Sequence, residues 1–541
     1  MPSPQHQAYR KSVLSWFRRH ADEPDVVAQL QRHAHAAAVL WELDLEPARP
    51  ILAACYAPNP RGGKPWDPIV MLRGFLLALL AGQPALNKWI ADLAASRVLR
   101  VLAGLPDPEA DWPGVGTLYD FLNRLHDGQI RGGDGMERPS EAQRRRAGTP
   151  RPLQRAEKAS EAEKGGRRRR RQRRKDKMAA RVPVADPSVT ARLVAELRTT
   201  EPHANPQDLL ERLGAILRVV AVQGSKVRGL LGTGTHLAAA GDGSPLPTGA
   251  NQYGKRTCHH GRWERCDCPR RFADPDARIG WDHYREKFYF GHHFYEVIAN
   301  VGGHDLPLAI RLDPANTSDH TASVLTLERL FKALPAMGLS IHDFIADSGH
   351  DGEANYRYCL DHGVRPVIPL RGAAPAIHPD LPEVTLSPRG VPTCQAHVEM
   401  FPRGTAEANR PIFMCPVKAG KRDRCPLAPD GQPDWVCRPD VKWGPTTTVD
   451  ANLNPRLCPP VPRNSQTYRR LYKLRSGCER SNSVKKVTFK LEEARHRRAS
   501  FWLARLHFIA VLQHARAWVA DGAAEELVDY LLGRSPLAKY A

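Results

Sequence analysis

Apolar residues in the first 130 positions recur at the spacing of one helix face. Leu72, Leu76, Leu79 and Leu80 share one stripe, and Ile90, Leu93 and Leu99 another. This predicts an all-helical N-terminal domain over residues 1–130. The periodicity then stops. Residues 131–182 are rich in Arg, Glu, Gly and Ser, and GGRRRRRQRRKDK (165–177) crowds like charges with little apolar surface to bury, which predicts a basic disordered linker. From 183 to 370 helical and strand periods alternate. Helical ARLVAELRTT and DLLERLGAILRVVAVQ precede THLAAAGDGSPL, a short apolar run that ends at Asp242 and Gly243. KFYFGHHFYEVIANVGGHDLPLAIRL (287–312) reads as an antiparallel hairpin around Gly302 and Gly303. A helix over 321–334, a buried strand running through IHDFIADSGHD to Asp347, a helix in NYRYCLDHG and a strand in VRPVIPL follow. Residues 371–464, rich in Pro and Cys, break the rhythm as an insertion would. Residues 465–541 are helical again, with FWLARLHFIAVLQHARAW (501–518) as an apolar-faced helix. The fold class expected is α/β, a mixed sheet with flanking helices.

Composition narrows the partner. In 541 residues, 79 Lys and Arg stand against 58 Asp and Glu, a formal charge of +21. Such an excess favours a polyanion, because cations that neutralise phosphates release counterions and gain sequence-independent affinity. The most apolar run, DPIVMLRGFLLALLAG (67–82), is broken by Arg73 and falls short of the roughly 18 residues that span a bilayer. The start, MPSPQHQAYRKSVLSWFRRH, lacks the apolar stretch of a secretory signal. A cytoplasmic protein with no membrane partner is expected, its eleven cysteines serving as thiols or metal ligands rather than disulfides.

Candidate chemistry begins in YKLRSGCERSNSVKK (472–486), where a single acid, Glu479, sits among Lys and Arg. On a regular helix Tyr472, Arg475, Glu479 and Lys486 fall within about 60° of one face. Ser476 and Gly477 weaken helix propensity there. Asp242 and Asp347 stand where an apolar run gives way to a polar turn, the position at which an open α/β sheet presents side chains to a ligand. Two strand-end carboxylates and one helix carboxylate offer the hard oxygen ligands that suit a pair of Mg²⁺ ions. Such a pair clamps the attacking and leaving oxygens of an in-line phosphoryl displacement. Arg475 would grip a phosphate through its bidentate fork and Lys486 as a point charge. Asp319, Asp343 and Asp351 lie nearby in sequence and are left outside the triad, Asp351 as a supporting partner.

The sequence resembles DDE transposases of bacterial insertion sequences. Their C-terminal signature of Tyr, two residues, Arg, three residues, Glu, six residues and Lys stands complete as Tyr472, Arg475, Glu479 and Lys486. GDGSPL and IADSGHD resemble the two Asp motifs. GKPWDPIVMLRGFLLALLAG, RVLRVLAGLP and TLYDFLNRL resemble the helical N-terminal domain of many such enzymes. The resemblance implies an RNase H-like, retroviral-integrase-type catalytic core, formed by 183–370 and 465–541 around the 371–464 insertion and preceded by a DNA-binding helical domain. It implies Asp242, Asp347 and Glu479 as a triad for two Mg²⁺ ions, Mn²⁺ being able to substitute. Tyr472, Arg475, Lys486, Arg480 and Lys485 are the implied DNA contacts. The implied activity is cleavage at transposon ends and transfer of the 3′-hydroxyl into target DNA. It would be carried out at the nucleoid by a homodimer on double-stranded terminal repeats. Two alternatives stay open: a metal-dependent RNase H-fold nuclease that cuts without joining, and a non-catalytic DNA-binding derivative of a transposase.

Two cysteine groups hold the soft ligands that zinc favours. CHHGRWERCDC contains Cys258, His259, His260, Cys266 and Cys268. In the insertion, Cys394, His397, Cys415 and Cys425 form a candidate Zn²⁺ set, with Cys437 downstream. A Pro- and Gly-rich segment with a small core gains most from such a staple. Neither spacing is that of a standard finger, and reduced, packed cysteines are the alternative. Trp435 and Trp443 resemble the aromatic residues of β-rich insertions that hold an unstacked base in some related transposases, with core packing as the alternative.

Overall fold

The computed structural model describes residues 2–56, 65–109, 112–127, 150–151, 188–199, 208–232, 234, 236–260, 268, 270–407, 409–432, 435–494 and 496–535. Almost all of the expected linker at 131–182 lies outside the described residues. Up to residue 127 the described chain is helical: α1 (Pro4–Arg19), α2 (Pro24–Arg32), α3 (Ala34–Glu42), α4 (Arg49–Ala53), α5 (Pro68–Leu80), α6 (Leu86–Ala95), α7 (Arg97–Ala103) and α8 (Val115–Asp127). Local chemistry sets their ends. Asp67 caps α5 by accepting from the amide of Ile69 at 2.7 Å, and Pro68 follows at the first helical position, where its missing N–H costs nothing. Gly104, at φ +77°, closes α7 in the left-handed conformation. Helix α5 is buried almost all round and joins the N-terminal helices to the rest. Phe75 lies 5.5 Å from Phe121 and 5.8 Å from Phe508, and Trp41 meets Tyr530 at 6.2 Å. One apolar core therefore runs from Phe17 to Leu531.

After α9 (Val189–Thr199), α10 (Leu209–Ile216), a π-helical turn at Leu217–Val222 and α11 (Gln223–Val227), the chain enters its sheets. The strands are β1 (Pro150–Arg151), β2 (His236–Pro247), β3 (Lys255–Arg256), β4 (Arg270–Arg271), β5 (Arg278–Asp282), β6 (Lys287–Val301), β7 (His304–Pro314), β8 (Ser340–Ile345) and β9 (Arg365–Val367). The main sheet is mixed. β6 is antiparallel to both β7 and β2, β2 is parallel to β8, and β8 is parallel to β9, giving the order β7-β6-β2-β8-β9 with β5 paired to the first part of β6. The β6–β7 loop is the expected two-glycine turn, Gly302 and Gly303 both at positive φ, as a tight hairpin turn of the right twist requires. A bulge sits in β8: Leu237 pairs with Ile341, but Ala238 pairs with Asp343, leaving His342 as the extra residue.

Side chains alternate across β2. Leu237 and Ala239 enter the main core, where α12 (Asp319–Ala333) and the long terminal helices pack. Ala238 and Ala240 face the other side with Tyr468, Leu471 and Cys478. Next in the chain come α13 (Glu353–Asp361) and then the insertion, with the small sheets β10 (Ile377–His378) with β11 (Leu381–Thr385), and β12 (Phe401–Thr405), β13 (Pro411–Met414) and β14 (Thr446–Thr448). The insertion has its own core around Val384, Met400, Phe413 and Leu457. Arg456 fastens it to Asp351 at 2.8 Å, and Arg463 to the Tyr356 hydroxyl at 3.0 Å. The C-terminal helices are α14 (Gln466–Tyr472), α15 (Ser476–Ser483), α16 (Ala499–Trp518) and α17 (Ala523–Leu531). Among the described residues no helix is long and apolar enough to cross a membrane.

Two expectations change. Asp242 does not end its strand, because the 15-residue β6 supplies pairing partners as far as Pro247. β5 adds a strand where the apolar period marks none, just ahead of the hairpin expected from 287, with Trp281 paired opposite Phe288.

Candidate active site

The parallel register of β2 and β8 sets the site. Ala240 pairs with Ile345, and two residues further along each chain stand Asp242 and Asp347. At that point β8 stops while β2 continues, so both carboxylates lie at one edge of the parallel pair. Asp242 shares the face of Ala238 and Ala240, under α15. Its neighbours Gly241 and Gly243 lie on the opposite face and are glycine for steric reasons. A Cβ at Gly241 would stand 2.3 Å from the Tyr295 hydroxyl, and one at Gly243 would stand 2.1 Å from Asp319 Oδ1.

Asp347 caps the one-turn helix Ser348–His350. It accepts from the amide of Gly349 at 2.9 Å and from His350 Nδ1 at 2.7 Å. The buried His350 ring faces the Tyr295 hydroxyl with Nε2 at 3.0 Å. Burial pushes the Tyr295 phenol well above its usual range, so it stays a neutral hydroxyl. His350 thus bridges the Tyr295 hydroxyl at Nε2 and the Asp347 carboxylate at Nδ1. The His350 hydrogen bond holds the Asp347 carboxyl below the ordinary carboxylate value. Asp242 goes the other way. Burial first, then the charges of Asp319 and Asp347, push it up to about 7. A desolvated carboxylate beside two like charges is a place short of positive charge.

The third acid arrives on an interrupted helix. Ser465 caps α14, accepting from the Tyr468 amide at 3.0 Å. A 3₁₀ turn at Lys473–Arg475 joins α14 to α15, and a π-helical turn at Val484–Thr488 follows α15. The signature residues thus fall in four successive segments rather than on one regular helix. Gly477 permits the close seat of α15 on the β6–β7 hairpin, since a Cβ there would stand 2.4 Å from Asp305 Oδ1. Glu479 is 59 % exposed and accepts a hydrogen bond from Arg475. Although burial opposes it, the Arg475 guanidinium is held charged by Glu479 and then by Asp242. Burial raises the Tyr472 phenol, and the charges of Asp347 and Glu479 add to this. Arg475 and Tyr472 therefore lie within electrostatic reach of the acids from both strands and from the helix. The three carboxylates do not draw their oxygens within 4.8 Å of one another among the described residues.

The other expected DNA contacts are differently placed. Lys486 Nζ reaches the Pro245 carbonyl at 3.2 Å and Glu492 at 3.0 Å, beside the site. Arg480 forks onto Asp305 at 2.8 and 2.9 Å. Lys485 corrects the expectation of a phosphate contact. It is fully buried and donates to Glu296 at 2.5 Å and to Ser481 Oγ at 2.7 Å. Its charge is already matched inside the protein.

Three neighbours escaped the sequence reading, His350, Tyr295 and Glu296, and a fourth, Asp319, was considered there and left outside the triad. Asp319 opens α12 and approaches His293 Nε2 at 3.2 Å, on the Gly243 side of β2. Glu296 pairs with Asp242 across β2 and β6, and Tyr295 with Gly243. The strand alternation in HHFYE carried that signal, once the register was known. Asp351 holds Arg456 of the insertion, and Asp343 pairs with Arg365 at 2.8 Å.

The cysteine sets divide. Cys258, His260 and Cys268 bring their ligand atoms within 4.8 Å of one another, and among the described residues no other such group of three or more forms. Cys394, His397, Cys415 and Cys425 are not so gathered. Cys425 instead neighbours Cys437, whose thiol is pushed up by burial and then by Cys425. Trp443 stacks under Arg403 at 4.0 Å, and Lys442 lies 4.9 Å from its ring.

A family model described as Transposase DDE domain matches residues 242–512, from the first strand acid into α16. No curated protein and no solved structure matches the chain.

Proposed function

The chain belongs to the DDE transposase family, and from that premise we propose that it cuts DNA at transposon ends and transfers the 3′-hydroxyl into target DNA, with Asp242, Asp347 and Glu479 as its metal-binding triad. The observation that carries this reading is the β2–β8 register, which sets Asp242 and Asp347 two residues beyond one paired position. The strand order β7-β6-β2-β8-β9, with only β6 antiparallel to its neighbours, supports an RNase H-like core.

The donor set fits divalent ions, which enzymes of this family generally use. Asp242 is desolvated and raised by like charges, so a cation relieves a repulsion already present. All-carboxylate oxygen ligation suits Mg²⁺, with Mn²⁺ as a substitute. When bound, such ions polarise the scissile phosphodiester and raise the acidity of water. The remaining roles fall to the chain itself. His350 and Tyr295 fix which way Asp347 points. Arg475 holds Glu479 in the absence of substrate and is a guanidinium able to take a phosphate instead, which releases the Glu479 carboxylate toward the strand acids. Lys486, at the far side of α15, adds a point charge along the path of a bound strand. DNA is the partner this charge distribution favours, and joining two transposon ends calls for at least a homodimer.

The test is a strand-transfer assay with Mg²⁺ on duplexes carrying the terminal repeats that flank the gene. Asp242→Ala, Asp347→Ala and Glu479→Gln should each abolish both nicking and joining. Full activity in any one of them removes that residue from the site. Nicks without joined products in the unaltered protein would identify a nuclease instead.

A further inference from the structure

We propose that Cys258, His260 and Cys268 bind a structural Zn²⁺ ion that closes the β3–β4 hairpin, a metal site separate from the carboxylate centre. The backbone delivers the ligands. Lys255 pairs with Arg271 and Arg256 with Arg270, and extending this antiparallel register two residues beyond the last pair sets Cys258 opposite Cys268. His260 then folds back, placing Nδ1 3.6 Å from Cys268 Sγ, and all three ligand atoms lie within 4.8 Å of one another. A tetrahedral zinc with ordinary Zn–S and Zn–N bonds separates a sulfur from a nitrogen by about 3.6 Å. The His260–Cys268 spacing is that of two ligands on one zinc ion. Two thiolates and an imidazole are soft to borderline donors, which favour zinc over the magnesium suited to the carboxylate site.

The hairpin itself gives the reason for a staple. β3 and β4 are two residues each and, with the two-residue β1 on the other side of β4, form a three-stranded sheet only two rungs long, too little pairing to be stable by itself in water. The hairpin's paired positions are Lys255 against Arg271 and Arg256 against Arg270, cation opposite cation in both rungs. Like charges directly across a ladder destabilise it. An ion that cross-links the strands just beyond those rungs offsets both penalties without neutralising the basic surface. Three of the four tetrahedral positions are accounted for by these residues.

The experiment uses the full-length protein purified without a metal-affinity step or chelator. Zinc is measured by elemental mass spectrometry, and the optical spectrum is recorded after cobalt exchange. Cys258→Ser and Cys268→Ser should each lose about one equivalent of zinc relative to the unaltered protein, a difference from which any metal held in the insertion cancels. His260→Cys should keep that equivalent and strengthen the thiolate-to-cobalt absorption in the near ultraviolet. Zinc content unchanged in both serine variants, or no zinc in the unaltered protein, overturns the assignment. Should the serine variants fail to fold, a cobalt spectrum identical in His260→Cys and the unaltered protein overturns it equally. The readout does not depend on DNA chemistry. A zinc-loaded protein that joins no DNA would refute the proposed function and leave this site standing.

Discussion

Two glutamates meet α15 from opposite sides and teach different things. Glu479 projects from the helix, more than half exposed, and is paired with Arg475. Glu296 comes up from β6, is fully buried, and is paired with Lys485, which is fully buried too. An exposed ion pair is worth little and exchanges readily, because water and salt screen it. A buried one returns its desolvation cost only while both partners stay in place. One side of α15 is therefore pinned and the other is free to change partners. The pinned side positions the helix, and the free side carries the acid assigned to the metal.

That contrast breaks most visibly at Lys485. Lys485→Met leaves the Glu296 carboxylate buried and unpaired, and should cost about 3–5 kcal/mol in urea unfolding. Adding Glu296→Gln should recover most of it. Glu479→Gln should unfold within about 1 kcal/mol of the unaltered protein. If Lys485→Met were equally mild, the pinned side would not be pinned.

Next in size is activity. Glu479→Gln should lower strand transfer more than about 100-fold, the upper end seen when only an outer partner of a metal ligand is removed. A folded variant with a small loss would move the acid's role elsewhere.

A smaller effect comes from Asp242. Its carboxyl is raised in the folded, metal-free protein from 3.8 to about 7. The protonated form thus favours folding. Its stabilisation is full below pH 4 and is lost as pH rises through 7. Thermal midpoints between pH 5 and 8 should fall more steeply for the unaltered protein than for Asp242→Asn. Mg²⁺ should restore stability above pH 7 in the former only. Parallel curves would place the raised group elsewhere.

The smallest effect belongs to Tyr472→Phe. It removes the hydroxyl but keeps the ring stacked on Tyr468, 5.7 Å away and 11° from parallel. Stability should change by less than about 1 kcal/mol. Strand transfer should fall less than for Glu479→Gln; an equal loss would give the phenol a role as large as the acid's.

Much of this arrangement was legible in the chain. The β6–β7 hairpin, the helix that became α16 and the strand before Asp347 follow from apolar period and from two glycines, signals that local physics enforces. Asp242, Asp347 and Glu479 were chosen as candidates through motif spacing, and the β2–β8 register sets the two aspartates abreast. Three features were not legible. The length of β2 depends on how far β6 extends, which is a property of the partner strand. The 3₁₀ and π turns around α15 answer to its seat on the hairpin through Gly477, a tertiary contact. Lys485 reads like Lys486 in sequence, and only the fold sends one inward to Glu296 and leaves the other beside the site.

The bulge at His342 has a consequence for the length of the chain rather than its composition. Were His342 paired in the ladder instead of bulged, Ala238 would face it and the position abreast of Asp242 would be Ala346. With His342 left out of the pairing, the position is Asp347. A single-residue slip in a strand turns every following side chain to the opposite face. The meeting of the two acids is therefore kept by leaving one residue outside the ladder. Deleting His342 would straighten β8 and still leave Asp347 abreast of Asp242, whereas inserting one residue between Asp343 and Asp347 would put the acids out of step while leaving both in the sequence.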